Sequence, residues 1–311
     1  ARMGPQLADA LLAPLPALRP ALSLGLANLL RFARAGLTTA AEYSRSLFRT
    51  EAARRVIPGL SLHVDLGPHD FGGAPLGLVL ALLAAGSGFQ VPIGGARAIT
   101  HALLTRLHEA NGHLQLGTRV TNIVVRRGRG VAVRTEHGEE IPVRRAILAD
   151  VGAPALYLRM LPRRWVGGWV RQSMRRFRHG WGTFKMDWAL AGPVPWRAEP
   201  ARQAAVVHAG DSVEDLARFT REARSGQLPG NPYLVIGQQS LLDPSRAPAG
   251  GHTLGAYSRV PSFLPDGWIK HKGRFADRIE RRIEGLAPGF RALIRGRAIF
   301  APDDLERVNE N

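Results

Sequence analysis

Cysteine is missing altogether, which excludes a disulfide framework, a thiolate-bound metal and a cysteine nucleophile. Lysine is nearly missing: Lys185, Lys270 and Lys272 are the only lysines among 42 Lys and Arg residues, and arginine supplies the rest. No uncharged run is free of helix breakers for long enough to cross a bilayer. Residues 71 to 96 carry no charged side chain, but Gly72, Gly73, Pro75, Gly86, Gly88 and Pro92 interrupt them. The helix left between these breaks is about ten residues, half of the roughly 20 that a span requires, so it reads as a buried helix. Residues 1 to 30 lack the ordered basic, apolar and small-residue regions of a secretory leader, and the start at Ala1 reads as an internal cut. The expected location is cytoplasmic or peripheral to a membrane.

Several catalytic signatures are also wanting. There is no phosphate-binding lysine loop and no HExxH helix. Gly86-Ser87-Gly88 opens like a dinucleotide-binding turn, in which glycines let backbone amides approach a pyrophosphate. Val91 then occupies the third glycine position and Pro92 the place where a helix should start. His101 and His108 sit on one expected helix without carboxylate partners, so no metal site is expected and they read as surface or cap histidines.

What the chain does have is 45% hydrophobic residues with 35 Gly and 22 Pro, enough for a substantial core in two domains or parts of them. Its most informative stretch runs from Gln90 to Ala155. A Gly94-Gly95 turn precedes a surface helix over residues 96 to 110, where Ile99, Ala102, Leu103 and Leu107 are expected to form one buried apolar stripe and Gly112 closes the end. Val120, Ile123 and Val125 then predict a strand, Arg126-Arg127-Gly128 a tight turn, Val131 and Val133 a second strand, and His137-Gly138 another hairpin. The apolar run Ala146 to Ala149 reads as a strand buried in a parallel sheet.

Elsewhere, helices are expected at Leu7–Ala13, Leu22–Ala35 and Ala40–Arg54, the last capped by Thr38-Thr39. Strands are expected at 183–190, 204–208, 233–239 and 253–260, with helices at 211–224 and 269–286.

The net charge of +17 has two readings. A polyanion or membrane surface would use clusters such as Arg126 to Arg134, Arg159 to Arg178 and Arg278 to Arg282. Ordinary solvated faces would spread arginine along the chain, and no RNA-binding fingerprint or zinc-finger spacing accompanies the clusters. The sequence favours solvated faces, leaves peripheral membrane contact open and argues against nucleic acid as a partner.

The 90 to 155 stretch resembles the middle segment of the FAD-binding domain in phytoene-desaturase-like and amine-oxidase-like flavoproteins. Downstream, Gly182 to Trp196, Asp243 to Pro248, Gly267-Trp268, Ala287 to Phe290 and Leu305 to Asn311 are similar to segments in the same order in phytoene-dehydrogenase-like oxidoreductases. The resemblance implies an α/β (α+β) chain with a partial FAD/NAD(P)-binding two-domain fold. It implies a helical cap over residues 1–89, the middle of the FAD-binding domain over 90–155 and a mixed-sheet substrate domain over 156–311. The family's GxGxxG turn and its C-terminal flavin segment would lie outside this stretch, so its FAD binding is expected to be incomplete and the stretch alone inactive.

Carried over residue by residue, Gly94 and Gly95 match the family's turn beside the cofactor, where glycine is required if the backbone comes close or takes a positive φ. Val120 falls at the adenine-contacting strand position, with a plain strand valine as the competing reading. Ala149 and Asp150 match the strand end that faces the dinucleotide. Lys185 matches the strand lysine that in amine oxidases holds a water near the flavin's reactive nitrogen, against which stands a strand-face or cavity lysine. The implied chemistry is hydride removal by FAD from an apolar small molecule, a polyene or similar lipid. The alternative is a non-catalytic basic module contacting a polyanion, a membrane surface or a protein partner.

Overall fold

The computed structural model describes Gly25, Leu30 and residues 33–310 apart from Ser87. The helix expected at Leu7–Ala13 and most of that at Leu22–Ala35 lie outside the described residues. The chain divides into two compact units, one of residues 1–98 and 181–303, the other of residues 99–180 and 304–311. These divisions differ from the 89/90 and 155/156 boundaries suggested by the sequence, because the helical turns after Ala153 pack against the meander.

Among the described residues, the first unit has four α-helices between residues 40 and 85. In α1 (Ala40–Leu47), the Thr39 hydroxyl accepts from the Glu42 amide at 3.2 Å, and the Glu42 carboxylate accepts from the Thr39 amide at 3.1 Å. This reciprocal capping box satisfies two amides that a helix start would otherwise leave bare. Thr50 caps a separate α2 (Glu51–Arg54), so the single helix expected over residues 40 to 54 is two. α3 (Val56–Ser61) and α4 (Gly73–Ala85) pack so closely that a Cβ on Gly77 would lie 2.3 Å from the Ile57 carbonyl oxygen. The leucines of α4 are half-buried instead of buried, because one side of the helix borders a cavity.

The second unit contains most of α5 (Ala96–Glu109) and a three-stranded antiparallel meander of β1 (Val120–Arg126), β2 (Arg129–Thr135) and β3 (Glu140–Pro142). Arg127 and Gly128 take φ of 51° and 77°, the left-handed pair that a two-residue hairpin requires. Two expectations fail in this unit. The α5 stripe is not buried: Ile99, Leu103 and Leu107 are exposed. The segment Ala146–Ala149 is extended coil, with Leu148 95% exposed, and no strand lies beside it among the described residues. A strand exists only where a neighbour takes up its backbone hydrogen bonds, and apolar composition cannot supply that neighbour. The unit's other helical parts are the segment Ala153–Trp165, α6 (Gly168–Arg175) and most of the helix Pro302–Val308.

The remainder of the first unit is a five-stranded antiparallel sheet. Its strands are β4 (Gly182–Leu190), β5 (Val206–Ala209), β6 (Leu234–Gly237), β7 (His252–Val260) and β8 (Ile294–Phe300), ordered β5-β6-β7-β4-β8. Between β5 and β6 runs α7 (Val213–Arg224), capped by Ser212, whose hydroxyl accepts from the Asp215 amide at 3.0 Å. Between β7 and β8 runs α8 (Lys272–Leu286).

Strand β4 alternates strictly. Phe184, Met186, Trp188 and Leu190 are buried in one cluster with Phe275, Ala276, Ile279 and Ile283 of α8. The Phe184 and Phe275 rings meet edge to face at 4.9 Å. Glu280, only 4% exposed, accepts from Trp188 Nε1 at 3.0 Å and from Arg297 at 2.9 Å, with Arg291 at 3.5 Å. The intervening Thr183, Lys185 and Asp187 point to the other face of the sheet.

Replacing Gly77 with alanine should lower stability by about 1–3 kcal/mol, the usual cost of overpacking against a backbone that cannot move aside. Gly273→Ala in α8, where a Cβ meets nothing within 4 Å, should be neutral or slightly stabilising. Urea unfolding of both variants checks the pair; equal midpoints would show that the α3–α4 approach is not tight.

Candidate active site

Strand β7 fixes what the open face presents. The ladder sets Tyr257 between Val235 of β6 and Lys185 of β4, and in the next row sets Gly255 between Gly237 and Asp187. Farther along these rows, His208 pairs with Val235 and Val206 with Gly237. The two glycines let neighbouring side chains lie close on the sheet: a Cβ on Gly237 would lie 2.7 Å from Gln239 Nε2, and one on Gly255 would lie 3.1 Å from Asp187 Oδ1. Over this glycine floor is a cavity of about 740 Å³ whose walls carry Lys185, Asp187, Gln239, Arg246 and Tyr257. Lys185 Nζ is ion-paired to the Asp187 carboxylate and lies 5.4 Å from the centre of the Phe300 ring.

Gly94 and Gly95 reach the edge of the same cavity through Ala96 and Arg246, which line it. Both take positive φ, 83° and 78°. The Gly94 amide donates to Asp243 Oδ2 at 2.6 Å, and Arg246 Nη1 donates to the Gly94 carbonyl at 3.1 Å. A Cβ on Gly95 would lie 2.2 Å from that nitrogen. The Gly95 amide donates to the Pro92 carbonyl at 3.0 Å. Hydrogen bonds from the Ser245 hydroxyl and then the Gly94 amide hold the Asp243 carboxyl below the usual carboxylate range. The Asp243 to Arg246 turn therefore clasps the glycine pair, and both glycine amides already have protein acceptors.

The other residues singled out in the sequence lie in the second unit. Val120 opens β1, half-buried and paired with Thr135. Ala149 and Asp150 sit in the exposed coil that replaces the expected strand. The first unit thus gathers Lys185 with the Gly94-Gly95 turn around one cavity, whereas Val120, Ala149 and Asp150 belong to the other unit.

A second cavity, about 830 Å³, adjoins the first across Val206 and Val235, which line both. Its wall is apolar, with Val56 and Leu60 of α3 and Leu80 and Ala84 of α4. Its polar side chains include His63, His208 and Arg55, and Arg55 Nη1 already donates to the Gly210 and Asp211 carbonyls at 2.9 and 2.7 Å. No described lining residue is acidic.

The histidines form a chain that composition and spacing did not reveal. Nε2 of His63 lies 3.0 Å from Nε2 of His208, and Nδ1 of His63 lies 3.1 Å from the Tyr257 hydroxyl. His208 stacks parallel on Tyr233 at 6.1 Å, and the Tyr233 hydroxyl donates to the Gly59 carbonyl at 2.8 Å. Beside them, Arg259 is ion-paired to Asp65 at 3.0 Å and donates to the Thr183 hydroxyl at 2.7 Å. Burial, and then the neighbouring His63, pulls His208 down to about 4; burial, and then Arg259, lowers His63. Burial raises the Tyr257 phenol. The only sequence signal for the chain is register: His208 and Tyr257 occupy positions of one row on the open face.

Residues 14–283 match the family described as flavin containing amine oxidoreductase, and the chain belongs to that family. The phytoene desaturase (neurosporene-forming) of Rhodobacter capsulatus is 26% identical over 255 residues, covering 78% of this chain and 47% of that protein. The pyridine nucleotide-disulfide oxidoreductase domain-containing protein 2 of Rattus norvegicus is 25% identical over 229 residues, covering 69% of this chain and 39% of its own. The chain spans about half the length, or less, of these curated relatives. Among solved structures, a putrescine oxidase bound to putrescine superposes with a TM-score of 0.53 at 16% identity, over 97% of this chain and 59% of the other. An oxidoreductase from Methanosarcina mazei gives 0.57 at 13% identity, over 85% and 56%. The fold is that of these proteins, and the resemblance drawn from the 90 to 155 stretch and the downstream segments holds.

The depressed imidazoles link this site to stability. As pH falls through the ordinary imidazole value of 6.5, the unfolded chain takes up protons that folded His208 refuses until about 4. Stability from this source is full above that upper value and is lost as pH falls toward the lower one. His208→Gln should flatten that part of a urea-midpoint profile; a profile of unchanged slope would place the loss elsewhere.

Proposed function

We propose that the chain is part of a flavin-dependent oxidoreductase that takes FAD and oxidises an apolar small molecule by hydride removal. The observation that carries this reading is the juxtaposition of an apolar cavity of about 830 Å³ with a glycine-floored polar cavity that contains Lys185. Family membership supports the flavin. Lys185, Gln239 and Arg246 in the wall of the polar cavity suit the hydrogen-bonding edge of a flat ring. A bound flavin supplies the hydride acceptor. The protein's part is to bind and orient: the α3 and α4 side chains keep water from the apolar body of the substrate, and Lys185 Nζ, in the wall of the polar cavity, would hold a water there. In this proposal Gly94 and Gly95 border the ring's site, and a dinucleotide-contact role for Val120, Ala149 and Asp150 rests on the family resemblance alone.

Substrate class follows from the wall chemistry. An ammonium substrate needs a carboxylate or comparable partner, and the described wall of the apolar cavity has none. The first test is equilibrium dialysis of FAD against this chain and against the complete gene product. The complete product should retain flavin stoichiometrically and this chain should bind it weakly; a colourless complete product would overturn the reading. In the flavin-loaded protein, Lys185→Met should slow substrate oxidation by on the order of 100-fold with the unfolding midpoint unchanged.

A peripheral membrane contact is the second proposal, and a separate observation favours it. Between Asp150 and Asp187 there is no acidic residue but seven arginines: 159, 163, 164, 171, 175, 176 and 178. None of the seven has a carboxylate partner among the described residues. Arg171 is pulled below the usual guanidinium range by burial and then by Arg163 and Arg175. Trp165, Trp169 and Phe177 are exposed in the same segment, Trp169 to 80%. Among the described residues no helix is long and apolar enough to cross a membrane, so contact would be at the surface. The protein should co-sediment with vesicles containing phosphatidylglycerol, and Arg175→Glu with Arg176→Glu should abolish this. Equal sedimentation with neutral phosphatidylcholine vesicles would sink the proposal.

A further inference from the structure

One histidine in the wall of the apolar cavity has a ring nitrogen to spare. His208 lines the cavity, and its Nε2 faces His63, yet among the described residues its Nδ1 has no hydrogen-bond partner. The ring is held in place: it stacks on Tyr233 at an interplanar angle of 6°, and His63 meets it edge-on at 5.1 Å. His63 is itself fixed, because the Tyr257 hydroxyl lies 3.1 Å from its Nδ1.

We propose that the apolar cavity takes a ligand with an apolar body and a single hydroxyl group, and that Nδ1 of His208 binds this hydroxyl. The inference rests on the apolar-substrate reading and narrows it.

Three features argue for a hydroxyl over other polar groups. The chain Tyr257, His63, His208 can run in either direction. If Tyr257 donates to His63 Nδ1, His63 Nε2 carries the proton and donates to His208 Nε2, and neutral His208 then presents an N–H at Nδ1. If His208 Nε2 donates instead, His63 accepts there and donates from Nδ1 to the Tyr257 oxygen, and His208 presents a lone pair. A hydroxyl both donates and accepts, so it fits either state; an ether or a carbonyl fits one. Charged head groups are matched no better. A carboxylate only accepts, so it fits the first of the two states and not the second. An ammonium needs an acid, and the described wall has none. Burial of His208, which keeps its imidazole neutral at neutral pH, agrees with an uncharged partner.

A matched set of probes tests this by calorimetric titration or displacement of a fluorescent apolar dye: 4-phenylbutan-1-ol, butylbenzene, 4-phenylbutanoate and 4-phenylbutylamine. The wild-type chain should bind the alcohol and butylbenzene, and the two ions weakly or not at all. His208→Leu should weaken the alcohol roughly tenfold, the value of one buried hydrogen bond, and leave butylbenzene unchanged or tighter. His208→Gln, which restores a donor and an acceptor, should recover most of the loss. Tyr257→Phe, which touches no ligand, should weaken the alcohol by a smaller factor, about twofold to threefold, through a less ordered His63. If the alcohol and butylbenzene respond alike to every variant, the hydroxyl assignment is wrong while the apolar cavity stands. If the wild-type chain binds an ion best, or binds neither neutral probe, the assignment and the apolar-substrate reading fall together.

Discussion

Strand β4 must satisfy two environments with one stretch of backbone, and the rest of the first unit is arranged around that demand. Its even-numbered side chains, Phe184 through Leu190, fill the cluster with α8, where each large apolar group contributes about 1.5–3 kcal/mol by leaving water. A period of two then forces Thr183, Lys185 and Asp187 to the opposite face, whatever chemistry they carry. A one-residue slip would place an ion pair against α8 and four apolar side chains in the open. The packing therefore fixes where the polar groups of the cavity stand, and no separate device is required to place Lys185.

That logic explains what could be read from the residues. β4 and β7, and helices α7 and α8, are visible because their periodicity is written in contiguous residues and their burial is one-sided. The cap at Thr39 is visible for the same reason, since the amide it accepts from is three residues away. β8 was not visible: Ile294 to Phe300 lies at the sheet edge and alternates poorly, with Arg295 and Arg297 exposed or half-exposed between apolar residues. The run Ala146 to Ala149 misled in the other direction. Its composition suits a buried strand, but burial depends on neighbours, and Leu148 shows that composition alone does not provide them.

The site shows a similar division. Lys185 and the glycine turn could be named from a family pattern, and positive φ at both glycines agrees with the residue type. The clasp by Asp243 and Arg246, and the meeting of His63 with His208, could not be named. Their partners lie 149 and 145 residues apart, and nothing local marks a histidine whose role depends on a distant one. What the sheet does is turn such distances into adjacency: β5, β6, β7 and β4 bring His208, Val235, Tyr257 and Lys185 into one row. A polar chain is thereby set beside an apolar wall without any sequence motif.

Glu280 has a consequence for how the unit assembles. A carboxylate inside a hydrophobic layer is tolerated because an indole and two guanidinium groups, from three separate parts of the chain, converge on it. Oily surfaces alone would let α8 rotate or slide by a turn with little penalty, but each wrong docking would strand a naked anion. Glu280 acts as a checksum on assembly: its carboxylate is fully matched only when β4, β8 and the turn at Arg291 are in place together.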